Sequence, residues 1–165
     1  MDLEQLKIDI DFMIQALKEA EAAAEEGEVP VGCVIVADGG SSTSKRKASG
    51  GRIIARAHNL TETLKDPTAH AEMQAVTSAS AYLGGKYLDK CTLYVTVEPC
   101  PMCAAALNWC QIGRVVYGCA DPKKGASMYA PNLYHPKTKI TGGVLEKECS
   151  KVMTDFFSRK RKSKH

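Results

Sequence analysis

From Leu3 to Glu26, apolar residues recur at three- and four-residue steps, at Leu6, Ile10, Met13, Ile14 and Leu17. That spacing predicts an amphipathic helix with one buried stripe. Ala20, Ala22, Ala23 and Ala24 prolong it with strong helix formers, and Gly27 supplies a stop. The pattern then shortens. Val31 to Ala37, rich in valine and isoleucine, predicts a strand, and Arg52 to His58 predicts the next. Asp66-Pro67-Thr68 precedes helical spacing from His70 to Leu83, carried by Met73, Val76 and Ala79 and ended by Gly84-Gly85. Thr92 to Val97 is β-branched and aromatic and reads as a third strand. Pro101 to Gln111 reads as a helix with proline in its first turn. Arg114 to Ala120 reads as a fourth strand, Tyr129 to Pro136 as irregular loop, and Thr138 to Thr141 as a short fifth strand. Leu145 to Arg161 predicts a last helix with Cys149, Val152, Met153 and Phe156 on one face. A strand pair followed by strand–helix alternation predicts an α/β fold, a mixed sheet with helices on both faces.

Composition narrows this picture. The 165 residues suffice for one domain, 1–165, with a proper core. Hydrophobic residues make up 44% and charged residues 25%, which fits a globular chain, and no apolar run reaches the length of a membrane span. The acidic opening Met1-Asp2-Leu3-Glu4 does not read as a signal or transit peptide, so a cytoplasmic location is expected. Seven cysteines, an odd number, argue against a disulfide framework. Cys33, Cys91, Cys110, Cys119 and Cys149 lie in apolar stretches and are expected to be small buried hydrophobes.

The net charge of +3 is unevenly spread. Met1 to Glu28 is acidic, whereas a basic C-terminal tail, 158–165, holds Arg159, Lys160, Arg161, Lys162 and Lys164. Lys45-Arg46-Lys47 sits in a Ser/Gly-rich stretch expected to form a mobile basic hairpin insert, 39–51. This pattern permits a nucleic-acid partner without requiring one.

Two short motifs carry the chemistry. His70-Ala71-Glu72 opens one helix, and Pro99-Cys100-Pro101-Met102-Cys103 opens the next. Cys100 and Cys103 stand near one face of a helix start, where the helix dipole favours the thiolates that zinc binds. With His70 they form a three-ligand set, which matches a catalytic zinc site with its fourth position open to water; a structural site wants four. One Zn2+ per chain is therefore expected. Glu72, two residues from His70, is placed to move protons as general acid and base. His-x-Glu followed by Pro-Cys-x-x-Cys is the established signature of zinc nucleobase deaminases, and it does not choose among cytosine, adenine and guanine.

Longer stretches choose. Gly27-Glu-Val-Pro-Val-Gly32, His58-Asn59, Asp66-Pro-Thr-Ala-His-Ala-Glu-Met73 and Thr92 through Ala104 are similar to the bacterial tRNA-specific adenosine deaminases. So are Ile112-Gly-Arg-Val-Val-Tyr-Gly118, Asp121-Pro-Lys-Lys-Gly-Ala126 and Asp155-Phe-Phe157. The resemblance implies a three-layer α/β/α cytidine-deaminase-like fold with a mixed five-stranded sheet. It implies a homodimer and conversion of adenosine to inosine at the wobble position of a tRNA anticodon stem-loop. It also implies that Asn59 bonds the target nucleotide and that Asp121 approaches the neighbouring ribose, a contact that helps tell RNA from DNA. Of Phe156 and Phe157, one is expected in the core and Phe157 against the anticodon loop, with Arg159, Lys160 and Arg161 gripping RNA. Ser158 stands where the family often has arginine, and the 39–51 segment exceeds its usual hairpin. The rival readings are a deaminase of a free base or nucleoside, cytidine or guanine, and a non-catalytic zinc module that binds RNA.

Overall fold

In the computed structural model, which describes residues 2–38, 50–129 and 132–163, helix α1 (Leu3–Glu25) starts at Asp2, whose side chain accepts from the Glu4 N–H at 3.1 Å. Strands β1 (Gly32–Ala37) and β2 (Arg52–His58) follow, then helices α2 (Thr61–Leu64) and α3 (Ala71–Leu83). Strand β3 (Cys91–Val97), helix α4 (Pro101–Trp109), strand β4 (Arg114–Cys119) and helix α5 (Ala126–Tyr129) lead to strand β5 (Lys139–Thr141) and helix α6 (Glu146–Ser163). The proposed insert lies outside the described residues, save Gly50 and Gly51 at the mouth of β2.

The sheet runs β2-β1-β3-β4-β5. β1 pairs antiparallel with β2 and with β3, while β3–β4 and β4–β5 are parallel. Successive residues of a strand point to opposite faces, so each strand feeds two cores. Cys33, Ile35, Leu93, Val95 and Val115 join Ala71, Ala75 and Ala79 of α3 and Leu107 of α4 on one face. Val34, Val36, Tyr94 and Val116 join Met13 and Ala16 of α1 and Cys149 of α6 on the other. The expected three-layer α/β/α arrangement with a mixed five-stranded sheet is therefore present.

Three local expectations change. The α1 stripe is rotated: Ile14 is 40% exposed, and the buried edge runs through Asp9, Met13, Ala16, Ala20 and Ala23. The helix lies so close to β1 that a Cβ on Gly32 would collide with the backbone of Ala16 and Ala20, so only small residues fit along that edge. Buried Asp9 accepts two bonds of 2.7 Å from the Arg114 guanidinium and one of 2.8 Å from the Tyr94 hydroxyl.

Second, α2 and α5 were not foreseen. Each has only four residues, too few for a periodic signal. Third, the last helix, predicted to end at Arg161, runs on to Ser163 and so takes in most of the basic 158–165 segment. Lys160, Arg161 and Lys162 fall in its last turn, where positive charge complements the helix dipole. No helix among the described residues is long and apolar enough to cross a membrane.

Candidate active site

His70 is the N-cap of α3 and Cys100 the N-cap of α4, both in extended conformation, with Pro101 at the first turn of α4. Cys103 lies on the first turn of the same helix and is fully buried. Two helix N-termini thus meet beyond the end of β3, and three donor atoms converge within 4.8 Å of one another. His70 Nδ1 stands 3.6 Å from Cys100 Sγ and 3.5 Å from Cys103 Sγ. Nitrogen and sulfur donors bound about 2.0 and 2.3 Å from a tetrahedral zinc stand roughly 3.5 Å apart. The group therefore fits a zinc ion in both donor chemistry and spacing.

The thiols behave as a coupled pair. Hydrogen bonding with Cys103 and then with His70 outweighs burial and holds the Cys100 thiol down at about 4. The same Cys100–Cys103 bond, with burial, raises Cys103. His70 is raised chiefly by its bond to Cys100. Metals bind the thiolate form, so a divalent cation held by these sulfurs would displace their protons.

Glu72 lies in the first turn of α3 and is 4% exposed. Burial raises its carboxyl above the ordinary value of 4.5, beyond what neighbouring His70 offsets. A carboxyl raised by burial can hold or release a proton nearer neutrality.

A cavity of about 870 Å³ joins these groups to most of the other candidate residues. His70, Glu72 and Cys100 line it together with Asn59, Asp121, Phe157 and Arg161. Asn59 Oδ1 accepts from the Thr61 N–H at 3.2 Å, which fixes the amide so that its NH2 is the free donor. Asp121 Oδ1 accepts from the N–H groups of Lys123 and Lys124, both at 3.0 Å. Phe156 is buried, the one of the pair in the core, and Phe157 is 38% exposed, their rings meeting edge-on at 5.3 Å. Arg159 and Lys160 do not line the cavity; the Lys160 ammonium sits 5.4 Å from the centre of the Phe156 ring.

Several lining or supporting residues escaped the sequence reading. Lys123 and Lys124 border the cavity beside Asp121. Glu28 is fully buried and accepts from the N–H groups of Glu62 and Thr63 at 3.0 and 2.8 Å, capping α2 next to Asn59. Burial raises its carboxyl, but those bonds outweigh it and leave a lowered pKa. Glu98, 6% exposed, binds the segment that carries Asp121. Both acids stand inside the motif stretches quoted above, where two acids flanked by prolines, Glu28 ahead of Val29-Pro30 and Glu98 ahead of Pro99, were the available signal.

The model of the cytidine and deoxycytidylate deaminase zinc-binding region matches residues 6–119. A tRNA-specific adenosine deaminase of Bacillus subtilis is 43% identical over 158 residues, spanning 93% of this chain and 91% of the relative. A solved structure from work on A-to-I editing by tRNA:A34 deaminases at the wobble position is 39% identical. It superposes with a TM-score of 0.73 over 86% of this chain and 98% of that one. A guanine deaminase of Nitrosomonas europaea shares the fold, with a TM-score of 0.74 at 19% identity over 89% of this chain and 83% of that one.

Proposed function

The chain belongs to the zinc-binding cytidine and deoxycytidylate deaminase family, among its tRNA-specific adenosine deaminases, and from that premise we propose that it hydrolyses adenosine to inosine at the wobble position of a tRNA anticodon. The observation that carries this reading is a single cavity in which the His/Cys/Cys group and Glu72 share walls with Asn59, Asp121, Phe157 and Arg161.

His70, Cys100 and Cys103 would hold the zinc, three donors that leave a fourth position for water. The metal would supply a nucleophile at neutral pH by lowering the pKa of that water to about 7. Glu72 would take one proton from water as its oxygen bonds to C6 of adenine and pass that proton to a ring nitrogen. Glu72 would then take the second proton from the hydroxyl now on C6 and deliver it to the amine as the C6–N bond breaks, so that water and adenosine give inosine and ammonia. Its burial keeps bulk water from competing for the proton.

Recognition falls to the walls. The Asn59 NH2 donates to an acceptor on the base edge. Asp121, with Oδ1 committed to its own turn, presents Oδ2 to a ribose hydroxyl. Phe157 offers a face for a splayed base, and Arg161 a cation for phosphate. Arg159 and Lys160 lie one turn or less from Arg161 and add to the basic end of α6 that attracts the RNA.

The seven free cysteines suit a reducing compartment such as the cytoplasm. A second copy of the chain is the partner we infer to cover Trp109, which stands 84% exposed at the end of α4. Light scattering of the purified protein should give the mass of a dimer.

The test of function is incubation of the zinc-loaded chain with an adenosine-bearing anticodon stem-loop, with cytidine and with guanine. Inosine should form on the stem-loop. Turnover of the free base or nucleoside, with none on the stem-loop, refutes the substrate assignment.

A further inference from the structure

Glu98 follows directly on β3 and stands two residues before Cys100. Its own N–H donates to the Cys119 carbonyl at the end of β4, at 2.8 Å. Its carboxylate is buried yet takes no part in the chemistry proposed above. Oε1 accepts from the Asp121 N–H at 3.2 Å. Oε2 accepts from the Ser127 N–H at 3.1 Å and from the Ser127 hydroxyl at 2.6 Å. The adjoining Pro99 carbonyl accepts from the Ala126 N–H at 2.9 Å. A Cβ on Gly125 would collide with the Glu98 carboxylate, so the segment closes on it as tightly as backbone allows.

The other bonds of this segment, 121–127, are mostly its own turns: the Gly125 N–H to the Asp121 carbonyl at 3.0 Å, the Lys123 and Lys124 N–H groups to Asp121 Oδ1, and the Tyr129 hydroxyl to the Lys123 carbonyl at 2.7 Å. Its hydrogen bonds to β3 and the turn after it go to Glu98 and Pro99. Pro122, Lys123, Lys124 and Ser127 are exposed, and only Gly125 and Ala126 are buried. It has no length of strand and only the start of a four-residue helix. Yet it supplies Asp121, Lys123 and Lys124 to the cavity that contains His70 and Glu72. Glu98 is thus joined through two peptide bonds to one metal ligand and through three hydrogen bonds to the opposite wall.

We propose that Glu98 is a positioning residue that clamps the 121–127 wall at a fixed distance from the metal ligands and so governs how tightly the anticodon loop is bound. This rests on the stem-loop reading above and adds to it a residue whose role is affinity alone. Metal binding does not depend on the clamp, because the donor atoms come from the N-termini of α3 and α4. The proton shuttle does not depend on it either, because Glu72 stands on α3.

The test uses the full zinc-loaded chain with Glu98→Gln and, separately, Ser127→Ala. Glu98→Gln keeps size and replaces one acceptor oxygen with a donor that confronts a backbone N–H. Losing a hydrogen bond to a charged group in this way should raise KM and stem-loop Kd by about tenfold or more. Zinc should stay at one per chain and kcat within about threefold of the parent. Ser127→Ala removes only the hydroxyl bond and should raise KM by roughly three- to tenfold. Amide hydrogen exchange at Asp121 and Ser127 should quicken in Glu98→Gln while the amides of β3 stay protected.

Unchanged KM in both variants, or lowered kcat and lost zinc at unchanged KM, overturns the proposal. If Glu98→Gln fails to fold, Ser127→Ala decides alone, and an unchanged KM there overturns it. A parent chain inactive on the stem-loop refutes the substrate reading and the affinity role together. Amide exchange then still reports whether the clamp exists.

Discussion

Replacing Glu72 with glutamine probes the chemical step without touching the metal. The amide fills the same space, and none of the three donor atoms, on His70, Cys100 and Cys103, is altered. What is lost is a group that both accepts and returns protons. A single general acid–base role contributes about 10²–10⁴ in rate. Glu72 is assigned successive transfers, to the ring and to the amine, and its 4% exposure leaves little access for solvent to replace it. The loss should therefore fall in the upper half of that range, roughly 10³–10⁴ in kcat, or about 4–5.4 kcal/mol on the barrier. Inosine formation under single-turnover conditions measures it, with zinc per chain determined on the same sample. Cys100→Ala is the contrast and should lose zinc and activity together. Turnover of Glu72→Gln within tenfold of the parent, with zinc retained, would falsify the shuttle assignment.

Arg114→Ala strips the paired cation from a carboxylate that is fully buried at Asp9, which should cost about 3–5 kcal/mol in urea unfolding. The double change Asp9→Leu with Arg114→Met should recover most of it, and a single-variant loss under about 1 kcal/mol would sink the account. His58 bridges Glu19 and Glu26 at 2.9 Å each; burial lowers its pKa, but the two carboxylates more than reverse this and leave it raised above 6.5. A raised folded pKa stabilises fully below 6.5 and is lost as pH climbs through the folded value. Glu19 is opposed by burial but lowered by His58 and Arg56, so its share is present above 4.5 and is lost as pH falls through its folded value. The melting temperature lost in His58→Gln should thus be greatest near about pH 5–6 and shrink toward alkaline pH, whereas a pH-independent loss contradicts the ion bridge. Arg161→Ala should weaken stem-loop binding and lower the slope of log K against log salt by about 0.7–0.9, and an unchanged slope would remove Arg161 from the phosphate contacts.

The catalytic group was legible because each part has a local signature. His70 and Glu72 stand two residues apart and Cys100 and Cys103 three, in two short motifs, and a metal's demand for three donors joins the motifs. Strands were legible for the same reason: β2 spans the predicted Arg52–His58 because its ends are set by local turn residues. The α1 face was not, because the stripe is decided by Gly32, which permits an alanine edge against the sheet. Asp9 lies in the acidic N-terminal segment, and its burial depends on the Tyr94 hydroxyl and the Arg114 guanidinium, 85 and 105 residues on. Helices α2 and α5 depend on Glu28 and Glu98, each far away along the chain, and no window of local sequence contains both the acid and the turn it caps.

This difference in legibility follows a physical division within the site. The metal donors are set on helix N-termini, and those helices are anchored by Ala71, Ala75 and Leu107 in the same core cluster as Leu93 and Val95. Their spacing is therefore a property of core packing, which tolerates little displacement. The proposed recognition wall on α6 shares in the second core cluster through Cys149, but the walls at Asn59 and Asp121 depend more on hydrogen bonds. The wall beside Asn59 depends on two N–H bonds to Glu28, and the wall beside Asp121 on three bonds to Glu98. A change at either acid can move a wall by a hydrogen bond's length without moving a metal ligand. Substrate preference can thus shift on this fold while the chemistry stays fixed, since the two are secured by different forces: dispersion and apolar burial for the metal group, charge-assisted hydrogen bonds for the walls.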